Sequence, residues 1–223
     1  MARSRGYKLL CPIARALDRV GDRWTLLILR DLHAGPARFA DLQTGLNGIA
    51  TNLLTDRLRQ LMEDGLVEKR EGAFGVALYA LTGLGARTRD LLFELAMFGG
   101  RFPADDTPRL PGNLRTIVVT LRTACQRVAT PDLSFDAEIE VDGERFALSA
   151  HDGAVDMRVG AAESPDVVLA TSYEPMIAAS EGELTMDAFM ALHVTLTTHV
   201  PGKDRELLAL LGTAMTLFQK DET

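Results

Sequence analysis

Cysteine is scarce in this chain of 223 residues, with two in all. That excludes a disulfide scaffold and any Cys-rich zinc module. No uninterrupted apolar run approaches the ~20 residues that a membrane helix needs. The amino terminus carries Arg3, Arg5, Lys8, Arg15 and Arg19 without a cleavable apolar core, so it does not read as a secretory signal. There is no phosphate-cradling glycine loop, no nucleophile elbow and no histidine beside a candidate nucleophile. His33, His151, His193 and His199 lack metal-ligand spacing with the cysteines or one another. Internal repeats and low-complexity tracts are also missing. The expectation is a cytoplasmic protein that is not an enzyme, inserts into no membrane and holds no metal or cofactor.

What is present suggests two domains. The length exceeds the usual single-domain size of about 100–150 residues, and the 47% hydrophobic, 25% charged composition is globular. The net charge of −7 hides an asymmetry. Residues 1–102 hold 15 Lys+Arg against 11 Asp+Glu, or +4, and the remaining 9 and 20 give residues 103–223 a charge of −11. A basic half joined to an acidic half implies different partners for each. Between them runs GGRFPADDTPRLPGN, whose prolines at 103, 108 and 111 break helix and sheet alike. The expected organisation is 1–102, a linker over 103–113, and 114–223.

In the first half, helical spacing dominates. Cys11-Pro12 opens a helix carrying Ile13, Leu17 and Val20, closed by Gly21; Asp22 caps a second, from Trp24 to about His33. Phe39, Leu42 and Leu46 mark a third. In the fourth, about Thr51 to Asp64, Leu54, Leu58, Leu61 and Met62 share one face at 100° per residue. Asn52, Thr55, Asp56 and Arg59 share the opposite one. An apolar back and a front of short polar groups with an arginine suit a helix laid in a major groove, where Arg reads guanine and Asn reads adenine. Arg57 lies on the flank, nearer to phosphate. Two short strands, Val67–Glu71 and Val76–Leu81, then flank Gly72-Ala73-Phe74-Gly75. This hairpin carries Lys69 and Arg70 for further phosphate contacts.

CPIARALDRVGDRWTLLILRDLHAGPARFADLQ, GIATNLLTDRLRQLMEDGLV and YALTGLG together resemble the HxlR-type winged-helix regulators of bacteria, over about Leu10 to Gly99. The resemblance implies dimeric, sequence-specific DNA binding and, in some members, sensing through the cysteine that Cys11 matches. Three positions depart from the family pattern. Ala50 stands where a serine usually begins the recognition helix, so capping is expected to fall to Thr51. Leu78 replaces an acidic residue before Tyr79, and Phe98 replaces a tryptophan. The expected DNA-binding set is Thr51, Asn52, Thr55, Asp56, Arg57, Arg59, Lys69 and Arg70.

The helix expected from Leu84 to Phe98 has two apolar stripes. Leu84, Leu91, Leu95 and Phe98 form one; Leu92, Phe93, Ala96 and Met97 form the other. One needs a surface beyond the domain's own core. A dimer contact through Leu92, Phe93 and Met97, with the segment Leu9 to Ile13, is the reading preferred over burial by the second domain. Cys11 sits at a helix amino terminus with Arg15 one turn on, a setting in which thiols become reactive. Cys125 reads as core.

The second half switches to period two. Phe135, Ala137, Ile139 and Val141 alternate with Asp136, Glu138, Glu140 and Asp142. Asp142-Gly143 and Asp152-Gly153 make tight turns into further alternating runs. An antiparallel meander with one wet, acidic face follows, and Val167–Leu169 adds a fourth strand. Helical stretches bracket the sheet over Leu114–Val128, Glu174–Ala179, Asp187–Leu192 and Leu207–Phe218, with a short strand near Val194–Thr197. This order, with SPDVVLATSYEPMIAASEGELTMDAFMA, resembles the sterol carrier protein fold from about Leu114 onward, which implies an apolar cavity between sheet and helices. Five of the seven non-initiator methionines lie in this half, and flexible thioethers suit a surface that adapts to apolar ligands. The expected lining is Ile139, Phe146, Met157, Met176, Phe189, Met190, Leu211 and Met215.

The fold class expected is therefore α+β in two domains, an amino-terminal winged helix-turn-helix and a sterol-carrier-like antiparallel sheet packed with helices. The function that uses both halves is a ligand-responsive transcriptional repressor: a homodimer on double-stranded operator DNA, answering to a hydrophobic small molecule. A hydrophobic-ligand carrier, or a thiol-based redox sensor acting through Cys11, are the alternatives.

Overall fold

A computed structural model describes residues 6–102 and 114–218; the linker expected over 103–113 lies outside the described residues. The chain divides into two compact units between Arg89 and Asp90.

In the first unit, α1 (Pro12–Val20), α2 (Thr25–Leu32), α3 (Phe39–Gly45) and α4 (Thr51–Glu63) lead into β1 (Val67–Glu71), β2 (Ala77–Leu81) and α5 (Gly83–Ala86). Pro12 takes the first helical position of α1, where its missing N–H is no loss. Asp22 stands two residues before the cap position, which Trp24 occupies: its Oδ1 accepts from the Trp24 N–H at 3.1 Å, ahead of the first residue of α2. The core joins Ile28, Leu29 and Leu32 of α2 to Leu42, Leu46, Leu54, Leu58 and Leu61. Each such side chain contributes about 1.5–3 kcal/mol on full burial. β1 and β2 form an antiparallel hairpin, and Ala37 bridges Tyr79 to tie it back to the helices.

The helix expected over Leu84–Phe98 is two. Thr82 caps α5 by accepting from Gly85 N–H, while the Thr88 hydroxyl donates to the Gly85 carbonyl at 2.7 Å. The chain breaks there, and α6 runs over Arg89–Gly99.

The second unit holds most of α6, then α7 (Thr116–Val128), β3 (Ser134–Val141), β4 (Glu144–His151), β5 (Ala154–Val159), β6 (Val167–Thr171), α8 (Tyr173–Ser180), α9 (Met186–His193), β7 (Thr195–Thr198) and α10 (Lys203–Thr216). The two tight turns form as read: Asp142-Gly143 and Asp152-Gly153 all have positive φ, the conformation a two-residue hairpin demands. The sheet order is β5-β4-β3-β6-β7. This corrects the purely antiparallel expectation, because β6 pairs with β3 in parallel. After β5 the chain crosses to the far side of β3 instead of continuing the meander, so β6 arrives pointing the same way as β3. The buried face stacks Phe135, Ala137, Ile139 and Val141 beside Phe146, Leu148, Val155, Met157, Val167 and Leu169. The opposite face is not wholly wet: Glu138 is buried, and its Oε2 accepts from the Ala162 N–H at 2.9 Å.

Candidate functional site

The front of α4 is built as its spacing predicts. Leu54, Leu58 and Leu61 are buried, and Thr51, Asn52, Thr55, Asp56 and Arg59 are exposed on the other side. Thr51 does not cap the helix. Ala50 occupies the cap position in extended backbone without a side-chain acceptor, and Thr51 is the first helical residue. Its Oγ1 instead accepts from the Gln43 amide at 2.5 Å, linking α3 to α4. Thr55 donates to the Thr51 carbonyl at 2.8 Å, and Asn52 Oδ1 accepts from the Leu53 N–H at 2.9 Å. Arg59 lies between Glu63 (2.8 Å) and Asp56 (3.5 Å), both exposed, so water or a nucleic-acid acceptor competes for it readily.

Arg57 has a different environment from the one expected on the helix flank. Its Nη2 meets Asp22 Oδ2 at 2.7 Å and its Nη1 donates to Gln60 at 2.7 Å. The side chain is 22% exposed, and Asp22 is 34% exposed. The guanidinium braces α4 against the entry to α2 with its charge already balanced.

On the hairpin, Lys69 and Arg70 are exposed. Lys69 Nζ stands 5.4 Å from the centre of the Tyr79 ring, and Arg70 meets Glu68 at 2.7 Å. At the tip, Phe74 is fully exposed with φ 58° and ψ 29°. Residue spacing assigns Phe74 no role, although an aromatic within the turn Gly72-Ala73-Phe74-Gly75 is a signal in itself.

Leu92 and Phe93, expected at a dimer contact, are buried within the chain, and Met97 is half-buried. The Arg127 guanidinium lies 4.1 Å over the Phe93 ring and pairs with Glu94 at 2.7 Å, while Phe218 packs on Phe93 at 5.8 Å between centroids. The uncovered apolar side of α6 is Leu91, Leu95 and Phe98. Leu10, Ile13 and Leu17 are likewise exposed at and along α1. Cys11 is exposed; Cys125 is buried, and burial pushes its thiol up to about 12.

In the sheet unit, Ile139, Phe146 and Met157 are sealed in the core and Phe189 is nearly so. Met176, Met190, Leu211 and Met215 are half-buried. A cavity of about 340 Å³ opens elsewhere, beside Asp136, Ser149, Asp156, Arg158 and Glu163. Its lining is polar and contains none of the eight residues expected to hold an apolar ligand.

The profile of HxlR-like helix-turn-helix proteins matches residues 19–106. The HTH-type transcriptional regulator YtfH of Escherichia coli is 33% identical over 90 residues, which are 39% of this chain and 70% of that one. The chain belongs to the HxlR-like helix-turn-helix family. The HxlR-like segment is also 38% identical over 60 residues to the HTH-type transcriptional regulator sll1512 of Synechocystis, 27% of this chain and 44% of that protein. The chain thus spans less than half the length of the first curated relatives it matches. Among solved structures, the quinone-bound YodB of Bacillus subtilis is similar at 28% identity, covering 42% of this chain and 100% of that one with a TM-score of 0.37. No helix of the described residues is long and apolar enough to cross a membrane.

Proposed function

We propose that this HxlR-like chain is a ligand-responsive transcriptional repressor that binds operator DNA as a dimer. The observation that carries the reading is the front of α4, where Thr51, Asn52, Thr55, Asp56 and Arg59 are exposed opposite a buried leucine face and beside a projecting hairpin. Arg59 and Asn52 supply base contacts, worth about 1–3 kcal/mol of discrimination each, and Lys69 and Arg70 supply phosphate contacts. One recognition helix reads little sequence, so two related by a two-fold axis address half-sites about 34 Å apart. The uncovered stripe Leu91, Leu95 and Phe98 and the exposed Leu10, Ile13 and Leu17 are the surfaces that favour self-association.

In the second domain, the element order and the five-stranded sheet support a sterol-carrier-like cavity for a hydrophobic molecule. The half-buried Met176, Met190, Leu211 and Met215 are its best lining candidates. An effector there reaches DNA affinity only by favouring one arrangement of α6 over another. The Arg127–Phe93–Phe218 packing gives it that route. The expected coupling is roughly 1–3 kcal/mol, with ligand weakening DNA binding. The test is selection of duplexes from a randomised pool by the full chain, followed by affinity measurement with and without a fluorescent fatty acid. No enriched duplex would end the DNA reading; an enriched duplex whose affinity ignores a bound fatty acid would end the effector reading.

Cys11 supports a second mode of control, since its thiol is exposed at the start of α1. Diamide or a quinone should then change duplex affinity for the wild-type chain and leave Cys11→Ser unaffected.

A further inference from the structure

The hairpin between β1 and β2 holds a bulky aromatic where the backbone disfavours one. Phe74 has a left-handed conformation, φ 58°, that side chains with bulk at Cβ rarely adopt, and its ring touches solvent on all sides. The turn beneath it is firmly made. Gly72 donates to the Val76 carbonyl at 2.7 Å, Val76 donates back to Ala73 at 3.3 Å, and Gly75 takes φ 74°. A Cβ on Gly72 would come within 2.7 Å of Leu78 Cδ1, so a larger residue there would have to displace the Leu78 side chain. The backbone that carries the ring is therefore held by its own turn, on a tip kept slim by Gly72, Ala73 and Gly75.

Charge does not explain the tip. Glu68, Lys69, Arg70 and Glu71 cancel, Arg70 is engaged by Glu68 and Lys69 rests on Tyr79. Beyond the exposed Lys69 and Arg70 on its arms, the hairpin offers one apolar ring at its tip. A protein partner needs about 800 Å² on each side, and a single phenylalanine supplies at most about 150–250 Å². The minor groove of DNA, about 6 Å wide, takes a single ring on a narrow support. β1 starts just after α4 ends and rises about 3.3 Å per residue. Its 5 residues carry the tip roughly 17 Å beyond that junction, far enough to leave the major-groove site.

We propose that Phe74 is an apolar wedge that enters the minor groove next to the site read by α4, opening a base step and bending the duplex. This rests on the DNA reading above, and the experiment separates the two. Duplexes enriched by the wild-type full chain from a randomised pool are the probe, labelled at both ends for energy transfer and carrying 2-aminopurine at steps flanking the protected region. Wild type should shorten the end-to-end distance and brighten 2-aminopurine at one step on each side. Phe74→Ala should bind about tenfold more weakly, leave the duplex straighter and the 2-aminopurine dim, and keep the wild-type salt slope, since no phosphate contact is lost. Phe74→Trp should restore bending. The ring is exposed, so neither variant removes core packing; unchanged Trp24 fluorescence checks that for Phe74→Ala, and an unchanged thermal midpoint checks it for Phe74→Trp.

If Phe74→Ala binds and bends as wild type does while Arg59→Ala loses sequence preference, the DNA reading stands and the wedge is wrong. If Phe74→Ala instead alters self-association in sedimentation with bending unchanged, the ring serves a protein contact and the wedge is again overturned. A pool that yields no enriched duplex removes the DNA reading and the wedge with it.

Discussion

The Asp22–Arg57 pair separates a structural arginine from a DNA contact. Replacing Asp22 removes two interactions at once: the 2.7 Å bridge to Arg57 and the 3.1 Å hydrogen bond from the Trp24 N–H. Two unit charges about 4 Å apart near a protein surface attract by about 4 kcal/mol. Partial desolvation and the ordering of a long side chain offset most of that, leaving on the order of 1 kcal/mol. The backbone hydrogen bond contributes about another 1 kcal/mol. Asp22→Asn, which keeps the acceptor and loses the charge, should therefore destabilise the first unit by about 1 kcal/mol, and Asp22→Ala by about 2 kcal/mol. Trp24 is the chain's one tryptophan and lies in the first unit, so urea denaturation followed by its fluorescence reports on that unit alone. In a cycle with Arg57→Ala, the coupling should be about 1 kcal/mol. Because Asp22 already neutralises it, Arg57→Ala should leave the salt slope of duplex binding unchanged. A coupling near zero, together with a salt slope reduced by about one, would refute the brace and restore Arg57 as a phosphate contact.

Lys69→Ala, by contrast, should weaken binding to all duplexes alike and lower the salt slope by about one; an unchanged slope would remove it from the interface. Phe98→Glu with Leu91→Glu should shift sedimentation towards monomer without loss of thermal stability, and a variant that self-associates as before would place the dimer contact elsewhere. Gly85→Ala would drive a methyl into the Leu66 carbonyl and should destabilise the junction of α4 and the hairpin by about 1–3 kcal/mol, read by the same Trp24 transition. Native chains should expose one thiol to Ellman's reagent at pH 8, and two in urea, because burial lifts Cys125 to about 12. That raised value also means the buried neutral thiol adds stability fully below about pH 9, which is lost as pH climbs towards 12; two fast thiols in the native chain would contradict this.

The parts readable from sequence were those governed by local period. The α4 leucines recur at helical spacing, so burial of one face exposed Asn52, Thr55 and Arg59 on the other. The Asp-Gly pairs dictate positive φ, so both tight turns of the sheet were visible. The misses depend on partners distant in sequence. A helical wheel places Arg57 on a flank but says nothing of Asp22. Two apolar stripes on α6 announce two covering surfaces without saying which is in the same chain; Arg127 and Phe218 take Leu92's side through Phe93, leaving Leu91, Leu95 and Phe98 uncovered. β6 reads as a strand, but its parallel pairing with β3 is set by the path of the chain after Gly160. Ile139, Phe146 and Met157 read equally well as core or ligand lining, and they are sealed as core.

Sequence reading by α4 is tested by hydroxyl-radical footprinting of the full chain on a duplex it has enriched, at one fixed salt concentration, with a scrambled duplex of the same composition as control. Two symmetric protected blocks are expected, with centres about one helical turn, ~34 Å, apart. Both should be lost in parallel with Arg59→Ala, and the scrambled duplex should show no protection. Equal, featureless protection of both duplexes, unaffected by Arg59→Ala, would contradict sequence reading by α4.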